Sequence, residues 1–228
     1  MASKFDINLR VAAIVVAVLL GLFAAWTYAK GWAPSRGEYE VQGIAVSSEN
    51  GTPNWPTLGA TGVDFAYLTA TVGANKRDVS FQTNMDGAQQ AGIRFGALHQ
   101  FDICRLASDQ ADLFITTVPR NKSALPPALQ LDFSETCTSR PNRGLILSEI
   151  STFLGKIEGH LGVPAVLMIH PDFEKQYQIS KSIDRNVWAE GTLFLPDYTA
   201  RPWVMWTANR ARHIDGIDGA VRWAVVRN

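Results

Sequence analysis

The chain carries one uninterrupted apolar run, Val11 to Ala29, and then changes to short apolar stretches alternating with amphipathic ones. At 1.5 Å per residue the run predicts a helix of roughly 28 Å, close to the hydrocarbon thickness of a bilayer. Past a polar stretch at 30–40, VQGIAVS (41–47) and VDFAYLTATV (63–72) read as strands, the second rich in β-branched and aromatic residues. VSFQTNMDGAQQAG (79–92) has helical composition and stops at Gly92. IRFGALHQF (93–101) is a strand, and Ala107, Ala111, Phe114, Ile115 and Val118 fall at helical spacing before Pro119. PPALQLDF (126–133) is a strand opened by two prolines, and alternation puts Gln130 and Asp132 on one face of it. Ile146, Ile150, Phe153, Leu154, Ile157 and Leu161 mark one face of a helix. PAVLMIH (164–170) is a further strand, with a helix starting at Pro171.

The C-terminal part differs. NVWAEG (186–191), RPWVMW (201–206) and AVRWAVV (220–226) are short apolar runs too close together for full helices between them. The pattern predicts one βα-type domain whose final strands lack helices, and a closed parallel barrel or an open sheet both fit it. In either architecture functional residues belong at the C-terminal ends of strands.

Lys and Arg number 21, as do Asp and Glu, which argues against a nucleic-acid partner. Around the apolar run, Trp26, Tyr28 and Trp32 sit where interfacial aromatics belong. Lys4 and Arg10 precede the run while Lys30 and Arg36 follow it, so charge orients it weakly. The expectation is a cytoplasmic segment 1–10, a membrane anchor 11–29, a linker 30–40 and one exported domain 41–228. A cleaved signal peptide is the alternative, although no good A-x-A site follows the run. Cys104 and Cys137 have neither CxxC nor zinc spacing. They read as small buried hydrophobes or, in an exported domain, as a disulfide. No metal or organic cofactor is indicated.

Several stretches taken together resemble glycoside hydrolase family 25, the lysozymes of the Chalaropsis type. GIAVSSENG followed by NWPTLGATGVDFAYLTATVG resembles that family's opening strand, tryptophan and second strand. AGIRFGALHQF resembles AG-x-x-x-GAYHF, ALPPALQLDF resembles LPPVLDLEF, and PAVLMIHPDF resembles the strand and helix start that follow. RPWVMW and GIDGAV are similar to the closing segments. The resemblance covers about 41–226 and includes both cysteines. It implies a TIM-like barrel of the (β/α)5(β)3 type and cleavage of the bond between N-acetylmuramic acid and N-acetylglucosamine in peptidoglycan. With the anchor, it implies a bacterial inner-membrane protein with its barrel on the periplasmic side.

The family's acidic positions carry over as Ala45, Gln130, Asp132 and Arg222, so one carboxylate remains, at the general-acid position, and it is an Asp for a Glu. That exchange withdraws the carboxyl by roughly one C–C bond, about 1.5 Å, and a misplacement of about 1 Å can cost around a hundredfold. Arg222 puts a cation where the reaction develops positive charge, or pairs with Asp132. The family's Tyr before the retained His99 falls on Leu98. Expected sugar contacts are Tyr67, Trp188, Trp203 and Trp206 as stacking faces, with His99, Gln130 and Asp132 as polar edges; each tryptophan reads equally as core. His170 directly follows a strand, Glu49, Glu135 and Glu190 also follow strands, and Asp215 and Asp218 read as turn residues. Three functions fit: a membrane-anchored protein that binds peptidoglycan or a related cell-envelope glycan with lost or very weak hydrolysis, a muramidase using Asp132 as acid, and a protein-interaction module on a barrel scaffold.

Overall fold

The register between neighbouring strands closes the sheet on itself. The computed structural model describes residues 4–228; of the expected segment 1–10, residues 1–3 lie outside the described ones. After α1 (Lys4–Gly31) come β1 (Gln42–Val46), α2 (Trp55–Ala60), β2 (Phe65–Val72), β3 (Lys76–Arg77), α3 (Phe81–Gln90), β4 (Arg94–Gln100) and α4 (Ala107–Thr117). Then follow β5 (Ala128–Leu131), α5 (Arg143–Leu161), β6 (Val166–Ile169), α6 (Pro171–Tyr177), α7 (Ile179–Ser182), β7 (Asn186–Glu190), β8 (Met205–Arg212) and β9 (Val221–Val226). The wall runs β1-β9-β8-β7-β6-β5-β4-β2, and β1 pairs with β2 to close it; β3 is a short antiparallel flap on β2.

The closed barrel and its helix-poor end agree with the sequence expectation, but the barrel is mixed rather than wholly parallel. β9 runs antiparallel to both β8 and β1. The connection over 213–220 is a hairpin, and a parallel return needs a crossover of about a dozen residues or more. β8 also lies later than the apolar run RPWVMW suggests. It takes in the polar residues Thr207 to Arg212, because these pair with β9 along the hairpin.

The interior is a narrow column of Ala45, Phe65, Tyr67, Leu98, Ala128, Met168, Trp188, Met205 and Ala224. Tyr67 and Trp188 fill most of it, their rings 5.0 Å apart. Gly96 on β4 makes this possible, since a Cβ there would come within 2.7 Å of the Tyr67 ring. Outward-facing residues form a second, larger core against the helices. α5 is typical of that layer: Asn142 caps its first turn through Leu145 N–H, and Gly162 ends it at φ 76°. Cys104 and Cys137 are bonded, closing 33 residues and tying the loop after β4 to the loop after β5. A loop of that length stabilises by about 3–4 kcal/mol in the chain-entropy picture.

Residues 30–40 are not a free linker. The helix-less strands leave Trp203 and Trp206 on the outside of the wall, and Trp32 and Tyr39 pack over them at 6.0–6.4 Å between ring centres. Asn209, turned outward beside a β-bulge, donates to the carbonyls of Ala29 (2.8 Å) and Trp32 (3.0 Å). Lower down, Arg36 pairs with Asp64 at 2.9 Å, and Gln42 Nε2 donates to Pro34 and Tyr39 carbonyls. The segment therefore works as a strap that takes the place of a missing helix. Preceding it, Arg10–Gly31 is long and apolar enough to cross a membrane, and its central stretch is unburied; a signal sequence has the same length and composition.

Trp32→Ala removes a half-buried ring from this strap. The expected cost is about 1–2 kcal/mol, below that of a fully buried Trp, read as a lowered urea midpoint of the full chain in detergent. An unchanged midpoint would mean the strap is not part of the folded unit.

Candidate active site at the barrel mouth

The mouth chemistry follows from register. Leu131 pairs with Ile169 and Ile169 with Ala189, and all three point outward into the helix layer. The next residue on each strand therefore points to the barrel axis, which brings Asp132, His170 and Glu190 side by side at the C-terminal ends of β5, β6 and β7. One ligand-type atom from each lies within 4.8 Å of the others. Arg222 reaches the same layer from β9.

Glu190 is 1% exposed, and neither of its oxygens has a hydrogen-bond partner among the described residues. Its compensation is the Arg222 guanidinium, with Nε 3.3 Å from Oε1. Asp132 is more open; its Oδ1 accepts from Phe133 N–H at 2.7 Å and lies 3.5 Å from His170 Nδ1, long for a direct hydrogen bond. Arg210 sits 3.1 Å from His170 Nε2. Arginine only donates, so Nε2 faces a donor, while Nδ1 lies between the Asp172 N–H at 3.4 Å and the Asp132 carboxylate. The row can thus hold two carboxylates because two guanidinium groups flank it. The same three side chains are of types that ligate divalent cations, and Arg222 stands against Glu190 Oε1 beside them.

Above this row opens a cavity of about 810 Å³, bordered by Gln100, Phe101, Gln130, Asp132, Phe133 and Arg222. Gln130 Oε1 is buried there without a partner among the described residues. The charged rim mixes signs, with Glu49, Asp102 and Glu135 against Lys76 and Arg105. A smaller, apolar cavity of about 300 Å³ lies at the other end of the barrel, beside Phe95, Pro127 and Val163, remote from these groups.

Of the residues expected to contact sugar, Gln130 and Asp132 border the mouth and the others do not. Tyr67 and Trp188 do point inward, but lie one layer below, 2% and 0% exposed; Trp188 Nε1 donates to Thr207 Oγ1. Burial pushes the Tyr67 phenol up, with Arg94 opposing. Trp203 and Trp206 face outward under the strap. His99 also faces outward, stacked on Phe153 at 4.5 Å, because Leu98 takes the inward position. Its Nδ1 is 2.7 Å from Thr71 Oγ1, and its Nε2–H donates to Gln110. The expected Asp132–Arg222 pairing is replaced by Glu190–Arg222. Ala45 stays in the lumen wall, paired with Arg222 through the backbone. Sequence reasoning placed Glu190 and His170 after strands but did not unite them; their common position, at or just past the ends of adjacent strands, was the available signal.

A barrel with ionisable side chains gathered at its strand C-termini has the architecture of a barrel-type active site. The sequence pattern of the Glycosyl hydrolases family 25 matches residues 44–216, and the chain belongs to that family. It is similar to a family 25 glycosyl hydrolase from Bacillus anthracis, with 25% identity and a TM-score of 0.79 over 87% of this chain and 93% of that one. The bacterial lysozyme from Streptomyces coelicolor superimposes with a TM-score of 0.74 at 23% identity, over 82% and 92% of the two chains. Lysozyme M1 of Streptomyces globisporus is 46% identical over 59 residues, a match spanning 26% of this chain and 20% of that lysozyme.

Two outcomes test this geometry. Arg222→Ala leaves the Glu190 carboxylate buried without its cation, and should cost about 1–3 kcal/mol, moderated by the partial exposure of Arg222. Adding Glu190→Gln should restore part of the loss, and additive effects in the double-mutant cycle would refute the pairing. Burial lowers the His99 pKa from 6.5 to about 4, against the Gln110 hydrogen bond. The unfolded chain therefore takes up a proton below pH 6.5 that folded His99 refuses. Stability should be full above that pH and fall by on the order of 3 kcal/mol as pH drops toward 4. Unfolding midpoints against pH should show this decline, and His99→Gln should flatten it.

Proposed function

We propose that this chain is a membrane-anchored, lysozyme-like protein that binds peptidoglycan, with hydrolysis lost or very weak. The observation that carries the reading is the Arg222 guanidinium in the mouth, bound to Glu190. It stands at a position where the family resemblance assigns a carboxylate. A fixed cation opposes an oxocarbenium-like transition state, and oriented charge is usually the largest catalytic term. Binding is supported by the size of the mouth and by Gln130, which borders it and whose buried Oε1 has no partner among the described residues. The disulfide supports an oxidising compartment, and with α1 an inner-membrane protein whose barrel lies in the periplasm. Residues 11–29 are the proposed anchor.

Residual hydrolysis is the second reading, and one observation favours it: Asp132 and Glu190 bring two carboxylates within 4.8 Å, so a second acid stands near the one at the general-acid position.

The test uses full-length protein in detergent with purified peptidoglycan sacculi. Co-sedimentation without soluble muropeptides is the expected result, with Gln130→Ala reducing the bound fraction several-fold. Muropeptide release that vanishes in Asp132→Asn would replace the binding reading by the hydrolytic one. Neither binding nor release would leave the barrel as a protein-interaction scaffold.

A further inference from the structure

We propose that the loop between β7 and β8 is a second membrane contact, with Phe194 and Leu195 seated in the interfacial layer of the bilayer that α1 enters. The inference rests on the anchor reading above and adds to it a surface of the barrel itself.

Phe194 and Leu195 are 80% and 60% exposed, a consecutive pair of large apolar side chains turned to solvent. An exposed apolar pair on an otherwise ordered domain points to a contact surface. The loop is held firmly beneath its tip. Gly191 N–H donates to Thr207 O at 3.2 Å, Leu193 N–H donates to Ala208 O at 2.8 Å, and Trp203 Nε1 donates to Pro196 O at 3.3 Å. Farther along, the Tyr198 hydroxyl lies 2.6 Å from Ile169 O and 2.9 Å from Glu190 O. Leu193 itself sits at φ 64°, a left-handed conformation that a side-chain-bearing residue adopts at a cost. The fold maintains this turn, and the two residues after it are the exposed ones.

Position identifies the occupant. Ala208 holds the loop, and the adjacent residue of the same strand, Asn209, holds the carbonyls of Ala29 and Trp32 at the end of α1. Consecutive strand residues are about 3.3 Å apart, so the loop tip and the helix end lie at one level of the barrel wall. His213 N–H, in the β8–β9 hairpin, also binds Lys30 O at 3.0 Å. The apolar span ends at Ala29, preceded by the exposed rings of Trp26 and Tyr28. That is the depth at which interfacial aromatics sit. Arg210, whose guanidinium also reaches His170, is exposed at the same level, and Lys30 lies over the Trp26 ring. Cationic side chains beside exposed apolar ones suit an anionic lipid surface. A bilayer that receives α1 up to Ala29 therefore meets Phe194 and Leu195.

The experiment uses full-length protein in nanodiscs of phosphatidylethanolamine and phosphatidylglycerol. Single cysteines replace Phe194, Leu195, Val18 in α1, or Val163 at the far end of the barrel, each carrying an environment-sensitive fluorophore. The native cysteines are bonded to each other and do not label. Lipids spin-labelled just below the headgroup serve as quenchers. Labels at 194 and 195 should emit to the blue of the label at 163 and be quenched several-fold more strongly. Quenching at 18 with labels at 194 and 195 behaving like that at 163 overturns the loop contact and leaves the anchor standing. A label at 18 that also escapes quenching removes the anchor reading, and this proposal with it. Equal quenching at 163 would show non-specific adsorption and overturn the proposal as well.

Discussion

In a closed barrel wall every strand residue has one of two destinations, the lumen or the helix layer, and alternation leaves no third choice. The lumen of this barrel is narrow and is filled by Tyr67, Trp188 and Met168. Apart from Gln130, which borders the mouth cavity from that layer, the positions that reach a ligand are the last inward ones of each strand, one layer above those rings. That constraint selects Asp132, His170, Glu190 and Arg222 for the mouth and excludes His99, which is one residue out of phase. It also explains why a histidine retained in the family resemblance serves packing here, between Phe153, Thr71 and Gln110.

Within the mouth, charge is redistributed rather than simply lost. The carboxylate on β7 and the guanidinium on β9 are mutually dependent, because a side chain as buried as Glu190 is costly to ionise alone. Arg222, in turn, is drawn off Asp132 and toward the opposite wall. Asp132 is left facing His170, whose far nitrogen is occupied by Arg210. The result is a charge-matched row below an open cavity, with an unsatisfied amide oxygen at its edge.

The absence of helices after the last strands has a second consequence. Trp203 and Trp206 would lie bare on the outer wall without the strap formed by residues 30–40. Covering them couples the end of α1 to β8 through Asn209 and to the hairpin through His213. The barrel is thus attached to its apolar helix by packed rings and hydrogen bonds, on the same side as the mouth loops.

The sequence by itself determined the elements, the family and the helix-poor end, because apolar periodicity, prolines and glycines act locally. It also placed Gln130 with Asp132 and paired the cysteines once export was assumed. It left open which face of each strand meets the lumen. Parallel barrel strands are buried on both sides, so a run such as VLMI carries no in-or-out alternation to read. Bulges between Thr69 and Thr71 and between Thr207 and Asn209 shift the phase further. Only the closed tertiary structure decided that Trp188 plugs the lumen while Trp206 faces out. It alone brought Glu190 to Arg222 from strands that are not neighbours, since that meeting depends on closure around an axis the linear chain does not contain.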